Sequence, residues 1–253
     1  MIKEKLSEAM KNGVRGVAGR WGLDIKRSID QSLDEQSLKI IKIVQPYSMT
    51  SPERLSALVD AINYVEKNSI VGDIVECGVW KGGSSMAAAK ALIAKGNVER
   101  TLYLYDTYEG MSEPTEHDRA HDSKRSAADL LAAEAKGSGV WAYSPLDEVQ
   151  ENLKSTGYPI EKVVFIKGKV EDTIPGIIPQ KIAVLRLDTD WYESTLHELQ
   201  HLFPLLVPGG VLIIDDYGYW EGARRAVDQY FSDTKIPMLL SRIDATGRMG
   251  VKI

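Results

Sequence analysis

The chain predicts an α/β fold, a mostly parallel sheet covered by helices on both faces. Three observations carry this expectation. From residue 73 onward, short apolar runs of β character alternate with helix-length segments. Two of the runs are consecutive, about 182–187 and 210–214, and a helix-length segment lies between them, as parallel neighbouring strands require. Both end on carboxylates: Asp188 and Asp190 after the first, Asp215 and Asp216 after the second. Open α/β sheets bind ligands at the edge where their strands end.

The elements follow in order. Residues 1–45 read as helical and moderately amphipathic, loosened by Gly13, Gly16, Gly19 and Gly22. Thr50-Ser51-Pro52-Glu53 starts a helix reaching about Lys67. Either Ser51 caps it with Pro52 in the first turn, or Thr50 and Glu53 form a capping box. Strands are predicted at 73–77, 101–106 and 162–166, with helices at 84–95, around 124–136 and from Ser144-Pro145 to about Ser155. A short turn at 170–175 precedes the strand ending at Asp188, and a helix at 192–206 precedes the strand ending at Asp215. A helix at about 221–232 leads to two last strands, near 237–243 and 247–252. The link Asp244-Ala245-Thr246-Gly247 marks them as an antiparallel hairpin at the sheet edge.

At 253 residues the chain can bury a sizeable core as one large domain. A net charge of −5 argues against a nucleic-acid binder. The charge is uneven: residues 1–27 carry seven basic side chains against three acidic ones. That stretch is a candidate for peripheral contact with an anionic membrane, although its glycines weaken the helix. Cys77 is the single cysteine, which excludes an intrachain disulfide and suits a reducing compartment. No apolar run can span a bilayer, and no secretory h-region follows the basic N-terminus, so the cytoplasm is the expected location.

The turn after the first strand, Glu76-Cys77-Gly78-Val79-Trp80-Lys81-Gly82-Gly83-Ser84, lets backbone approach a ligand and presents free helix N–H groups beyond it. It is neither the dinucleotide fingerprint nor a Walker A loop. Glu76 disfavours a phosphate and suits a cationic or hydroxyl-rich ligand. Asp106, about 28 positions after Gly78, can accept both ribose hydroxyls. Ribose without pyrophosphate, plus a positive charge, describes S-adenosylmethionine.

The aspartates suggest a hard cation, since four converging carboxylates repel without a cation or proton between them. Asp188, Asp215 and Asp216 are the candidate ligands for Mg2+ or another hard divalent ion. Asp190 shares a face with Asp188 if the chain is extended. It is the candidate base, or else it orients ligands or caps the helix near Tyr192; Asp188 is the alternative base. His197-Glu198-Leu199-Gln200-His201 matches the H-E-x-x-H zinc pattern, but Leu196, Leu199, Leu202, Phe203 and Leu206 give that helix a packing stripe. His117 and His121 lie in an acidic stretch read either as a solvated loop or as a lid over the acceptor. Trp191, Tyr192, Tyr217, Tyr219 and Trp220 suit either stacking on a sugar ring or core packing.

Together, Val75–Gly83, Asp106-Thr107-Tyr108-Glu109-Gly110, Leu185-Arg186-Leu187-Asp188-Thr189-Asp190 and Gly209-Gly210 through Asp215-Asp216-Tyr217 resemble the macrocin O-methyltransferase (TylF-type) family. The likeness covers about 47–253, including Tyr47-Ser48-Met49-Thr50. It implies a class I methyltransferase (Rossmann-like) fold with a seven-stranded sheet. It also implies S-adenosylmethionine as donor, a magnesium ion, and methylation of a deoxysugar or other glycosyl hydroxyl. The resemblance carries the donor site to Met49, Glu76, Cys77, Gly78, Gly82, Ser84, Asp106, Gly168, Val170 and Asp188. It carries the metal to Asp188, Asp215 and Asp216, and the base to Asp190. Residues 1–46 would then be a helical extension or lid before a methyltransferase domain at 47–253, and a homo-oligomer is implied. A phenolic or catechol-like acceptor and a non-catalytic S-adenosylmethionine-binding protein are the competing readings.

Overall fold

The computed structural model of the protein describes residues 33–134 and 141–253. The predicted helix over the first part of the N-terminal extension lies outside them. The described helices are α1 (Glu35–Val44), α2 (Pro52–Lys67), α3 (Gly83–Ala94), α4 (Ala127–Ala133), α5 (Leu146–Lys154), α6 (Val170–Thr173), α7 (Tyr192–His201) and α8 (Glu221–Thr234). The strands are β1 (Asp73–Cys77), β2 (Leu102–Asp106), β3 (Val163–Lys167), β4 (Ile182–Leu187), β5 (Leu206–Ile214), β6 (Ser241–Arg242) and β7 (Arg248–Val251).

They form one sheet in the order β3-β2-β1-β4-β5-β7-β6. The first five are parallel, and β7 returns antiparallel to β5. This is the seven-stranded, mostly parallel sheet that the sequence predicts. β4 is buried at every position and β5 through its last five, because helices cover both faces. The core gathers Val75, Tyr105, Leu185, Leu212 and Ile214 from the sheet with Leu199 and Phe203 from the covering layer. The closing hairpin is shorter than predicted. β6 keeps two residues, both exposed, so little burial defines its register.

Ser51 caps α2: its Oγ accepts from the Arg54 amide at 3.2 Å, with Pro52 in the first turn. This is the first of the two predicted starts. The compact unit begins at Glu35, earlier than the boundary at residue 47. The reason is the apolar face of α1, where Ile40, Ile41 and Val44 are buried.

The register places the site. Cys77 pairs with Tyr105 and with Leu187, and Leu187 pairs with Ile214. The next residue of each strand is therefore Gly78, Asp106, Asp188 or Asp215, four positions side by side on one edge. Backbone bonds continue the ladder there, from Gly78 N to Tyr105 O, Asp188 N to Cys77 O and Asp215 N to Leu187 O.

Candidate active site

That edge opens into a cavity of about 350 Å³. On one side it is lined by Gly78, Val79, Trp80, Asp106, Gly168 and Val170; on the other stand Asp188, Asp190, Asp215 and Asp216. Gly78 has φ +82°, and a Cβ there would lie 2.1 Å from the Asp188 carbonyl oxygen, so only glycine lets these two turns touch. Asp106 turns its carboxylate across β1. Oδ2 accepts from the Val79 and Trp80 amides at 2.7 and 3.1 Å, and Oδ1 from Tyr108 at 2.6 Å. Burial pushes its pKa up, while these amides oppose the shift.

Asp188, Asp215 and Asp216 bring one carboxylate oxygen each within 4.8 Å of one another. Arg186, buried in β4, holds Asp188 and Asp215 from below. Nη1 reaches Glu76 at 2.6 Å and Asp188 at 2.8 Å, and Nη2 reaches Asp215 at 2.6 Å and Thr50 Oγ1 at 2.8 Å. Arg54, from α2, pairs with the other oxygen of Asp215 and with Asp244 at 3.0 Å. Two guanidinium groups thus face Glu76, Asp188, Asp190, Asp215 and Asp216, and negative charge remains in excess. Burial, with the charges of the neighbouring aspartates, drives Asp188 and Asp216 well above the usual carboxylate range. An oxygen-only donor set with surplus negative charge fits a hard divalent cation.

Asp190 stands in hydrogen-bonding contact with Asp216 and is pushed up to about 7, chiefly by burial and then by the charge of Asp188. It gets there by a route the sequence does not suggest. The chain at 188–190 is not extended, for Asp190 is left-handed with φ +70°. Nor does it cap α7. The position before that helix is Trp191, with no side-chain cap, and the Tyr192 amide is taken by Asp118 Oδ1 at 2.8 Å.

Several predicted donor residues stand off the cavity wall. Glu76 is buried, bonded to Ser85 and Arg186. Cys77 is buried core, Ser84 faces a separate small cavity, and Gly82 turns the chain into α3 against Leu153. Met49, Gly78, Asp106, Gly168, Val170 and Asp188 do line the cavity. Of the aromatics, Tyr219 and Trp220 line it as well, while Tyr217 bonds Asp228 at 2.6 Å between Arg224 and Arg248. The acidic stretch holding His117 and His121 is solvated in part: Glu116 and residues 121–125 are exposed, while Asp118 and Ala120 are buried. Asp118 is fully buried, also accepting from the Thr115 amide and hydroxyl at 2.7 and 2.9 Å. Met111, Ser112 and Leu130 from the same insertion wall the cavity.

In the H-E-x-x-H match, His197 Nε2 meets the Ile174 carbonyl at 2.9 Å. Glu198 is buried beneath the Asp188–Asp190 turn, accepting from Thr189 Oγ1 at 2.9 Å. Sequence reasoning passed over Arg54, Asp118, Arg186 and Glu198. Arg186 had a usable signal: a charged residue inside an apolar strand needs buried partners.

The macrocin-O-methyltransferase (TylF) family model matches residues 28–250. The chain belongs to this family. Like its members, it is an S-adenosylmethionine-dependent O-methyltransferase. A relative from Streptomyces olivaceus, 8-demethyl-8-(2,3-dimethoxy-alpha-L-rhamnosyl)-tetracenomycin-C 4'-O-methyltransferase, is 37% identical over 79% of this chain and 74% of its own. The demethyldecarbamoylnovobiocin O-methyltransferase of Streptomyces niveus is 33% identical over 79% of this chain and 74% of its own. Among solved structures, the O-methyltransferase NovP superposes with a TM-score of 0.71 at 30% identity, covering 81% of this chain and 82% of that one. No helix among the described residues is long and apolar enough to cross a membrane.

Proposed function

We propose that this methyltransferase acts on a sugar hydroxyl, with Asp188, Asp215 and Asp216 holding a hard divalent cation, magnesium in the simplest case, and Asp190 accepting the hydroxyl proton. The observation that carries this reading is convergence: the four aspartates open onto the cavity that Gly78, Asp106 and Gly168 line. The named activity of the tetracenomycin relative, on a rhamnosyl 4'-hydroxyl, supports a glycosyl acceptor.

In this reading Asp106 keeps lone pairs for the ribose while its three amide bonds fix its direction. The Gly78–Trp80 turn brings backbone against the methionine part of the donor. A cation, when bound, lowers the pKa of an acceptor hydroxyl and places its oxygen. The oxygen attacks the methyl carbon, the bond to the sulfonium sulfur breaks, and the donor leaves as a neutral thioether. The proton passes to Asp190, whose place beside Asp216 puts it on the cation side of the cavity. The rest of the rate enhancement is alignment of the two reactants.

Asp215→Ala tests the metal part. Metal-dependent turnover should vanish while calorimetry still registers S-adenosylhomocysteine; full activity of this variant in chelator would sink it. A panel of methylatable rhamnosides and catechols tests the acceptor. Turnover confined to the catechols overturns the sugar assignment and leaves the metal assignment standing.

A further inference from the structure

One segment, Met49 to Arg54, touches both halves of the site. Met49, Thr50 and Arg54 line the cavity. Thr50 Oγ1 accepts from Arg186 Nη2 at 2.8 Å, and the same guanidinium holds Asp188 and Asp215. Four residues on, Arg54 takes the remaining oxygen of Asp215, while its Nε holds Asp244 at 3.0 Å. Just upstream, the chain lies against the start of α3, the helix that follows the Gly78–Trp80 turn: a Cβ on Gly83 would fall 2.5 Å from the Tyr47 carbonyl oxygen. The segment is pinned on the donor side by this close approach and on the aspartate side by two arginines. All the groups that pin it are buried or nearly so; the Arg54 side chain is 13% exposed and that of Arg186 3%.

A guanidinium presents its N–H donors in one fixed plane, so it sets the direction of each carboxylate it meets, as a freely turning ammonium does not. Arg186 occupies Oδ2 of Asp188 and Oδ1 of Asp215, and Arg54 occupies Oδ2 of Asp215. Which lone pairs face the cavity is therefore decided by the arginines, and their position is tied through Thr50 and α2 to the donor wall.

We propose that Arg186 and Arg54 are positioning residues that set the Asp188 and Asp215 carboxylates for a divalent cation, and that Thr50 links this setting to the donor wall, so that donor and cation bind cooperatively. The inference rests on the metal reading above. Coupling must be reciprocal: donor product tightens the cation by the factor by which the cation tightens donor product.

The experiment measures Mn2+ binding by paramagnetic resonance, and S-adenosylhomocysteine binding by calorimetry, each with and without the other ligand. The wild-type chain should show mutual tightening of about fivefold or more. In Arg186→Lys, where one ammonium replaces the fork, the coupling should collapse and kcat should fall more than the KM for the donor rises. Thr50→Val removes a hydroxyl but no carboxylate and guards against a misfolded Arg186 variant; whatever its affinity for each ligand alone, it should lose the coupling. Independent binding in the wild type, or full coupling in Thr50→Val, overturns the proposal alone. Failure of the wild type to bind Mn2+ under either condition overturns the metal reading and this inference with it.

Discussion

Asp118 accepts a hydrogen bond from the Tyr192 amide at 2.8 Å, so a side chain from the insertion after β2 supplies the helix cap that Asp190 does not. The insertion is thereby fixed to the helix that follows the candidate base. Ala120 bridges to Trp220, and His121 N donates to Tyr219 O at 2.8 Å, fastening it to the turn between Asp216 and α8 as well. Asp118→Ala removes the acceptor for three donors and leaves the Tyr192 amide unpaired in a buried place. We expect a loss of about 2 kcal/mol or more in urea unfolding. Activity should fall with it, because Met111 and Leu130 on the same insertion wall the cavity. Wild-type stability in Asp118→Ala would show that the insertion is not held this way.

Asp190→Asn is the direct test of the base. The amide keeps the size of the side chain but cannot take a proton. The rate constant kcat should drop by about 10²- to 10⁴-fold, the range that a positioned base supplies. Binding of S-adenosylhomocysteine should be unchanged, since the donor-side wall is formed by Gly78, Asp106 and Gly168. A kcat within about threefold of wild type would remove Asp190 from proton transfer.

The parts of the site that lie in single strand ends were legible in the sequence. Asp106, Asp188, Asp215 and Asp216 follow apolar runs, and a parallel register makes strand ends neighbours whatever the intervening chain does. Gly78 was legible for the same reason. What periodicity does not encode is the direction of a side chain at a turn. Glu76 is still within β1, so alternation sends it away from the cavity into the layer where Ser85 and Arg186 meet it. Asp190 reaches Asp216 only through a left-handed residue that an extended-chain argument misses. Asp118 is beyond local reasoning, since its partner lies 74 residues away.

The zinc-like pattern on α7 makes a separable prediction. Its two histidines meet with tilted rings at 4.4 Å between centroids, and Glu198 points inward to Thr189. The double variant His197→Ala/His201→Ala should keep methyl transfer and bound-metal content. Glu198→Ala should do the opposite. It frees the Thr189 hydroxyl between Asp188 and Asp190, and the cavity it leaves should cost about 1–3 kcal/mol. Glu198→Gln, which still accepts from Thr189, should recover most of the activity. Loss of activity in the histidine variant would reinstate them as functional ligands.

Asp244 gives the acid side of stability a specific residue. Burial alone would raise its pKa. The Ser51 hydroxyl, the Gly247 and Thr246 amides and Arg54 outweigh burial and hold it at about 2. A carboxylate ordinarily near 4 when unfolded and held lower when folded stabilises the native state above the unfolded value. That stabilisation fades as the pH falls from about 4 through about 2. The Asp244 side chain is 17% exposed, so screening trims the effect to about 1–2 kcal/mol. Urea unfolding of the wild type and Asp244→Asn, followed from about pH 5 down to about pH 2, isolates it. The wild type should be the more stable at the upper end, with the gap closing at the lower. A gap that stays constant across this range would mean that Asp244 acts by packing and neutral hydrogen bonds, and that its charge does not tie the closing hairpin to Arg54.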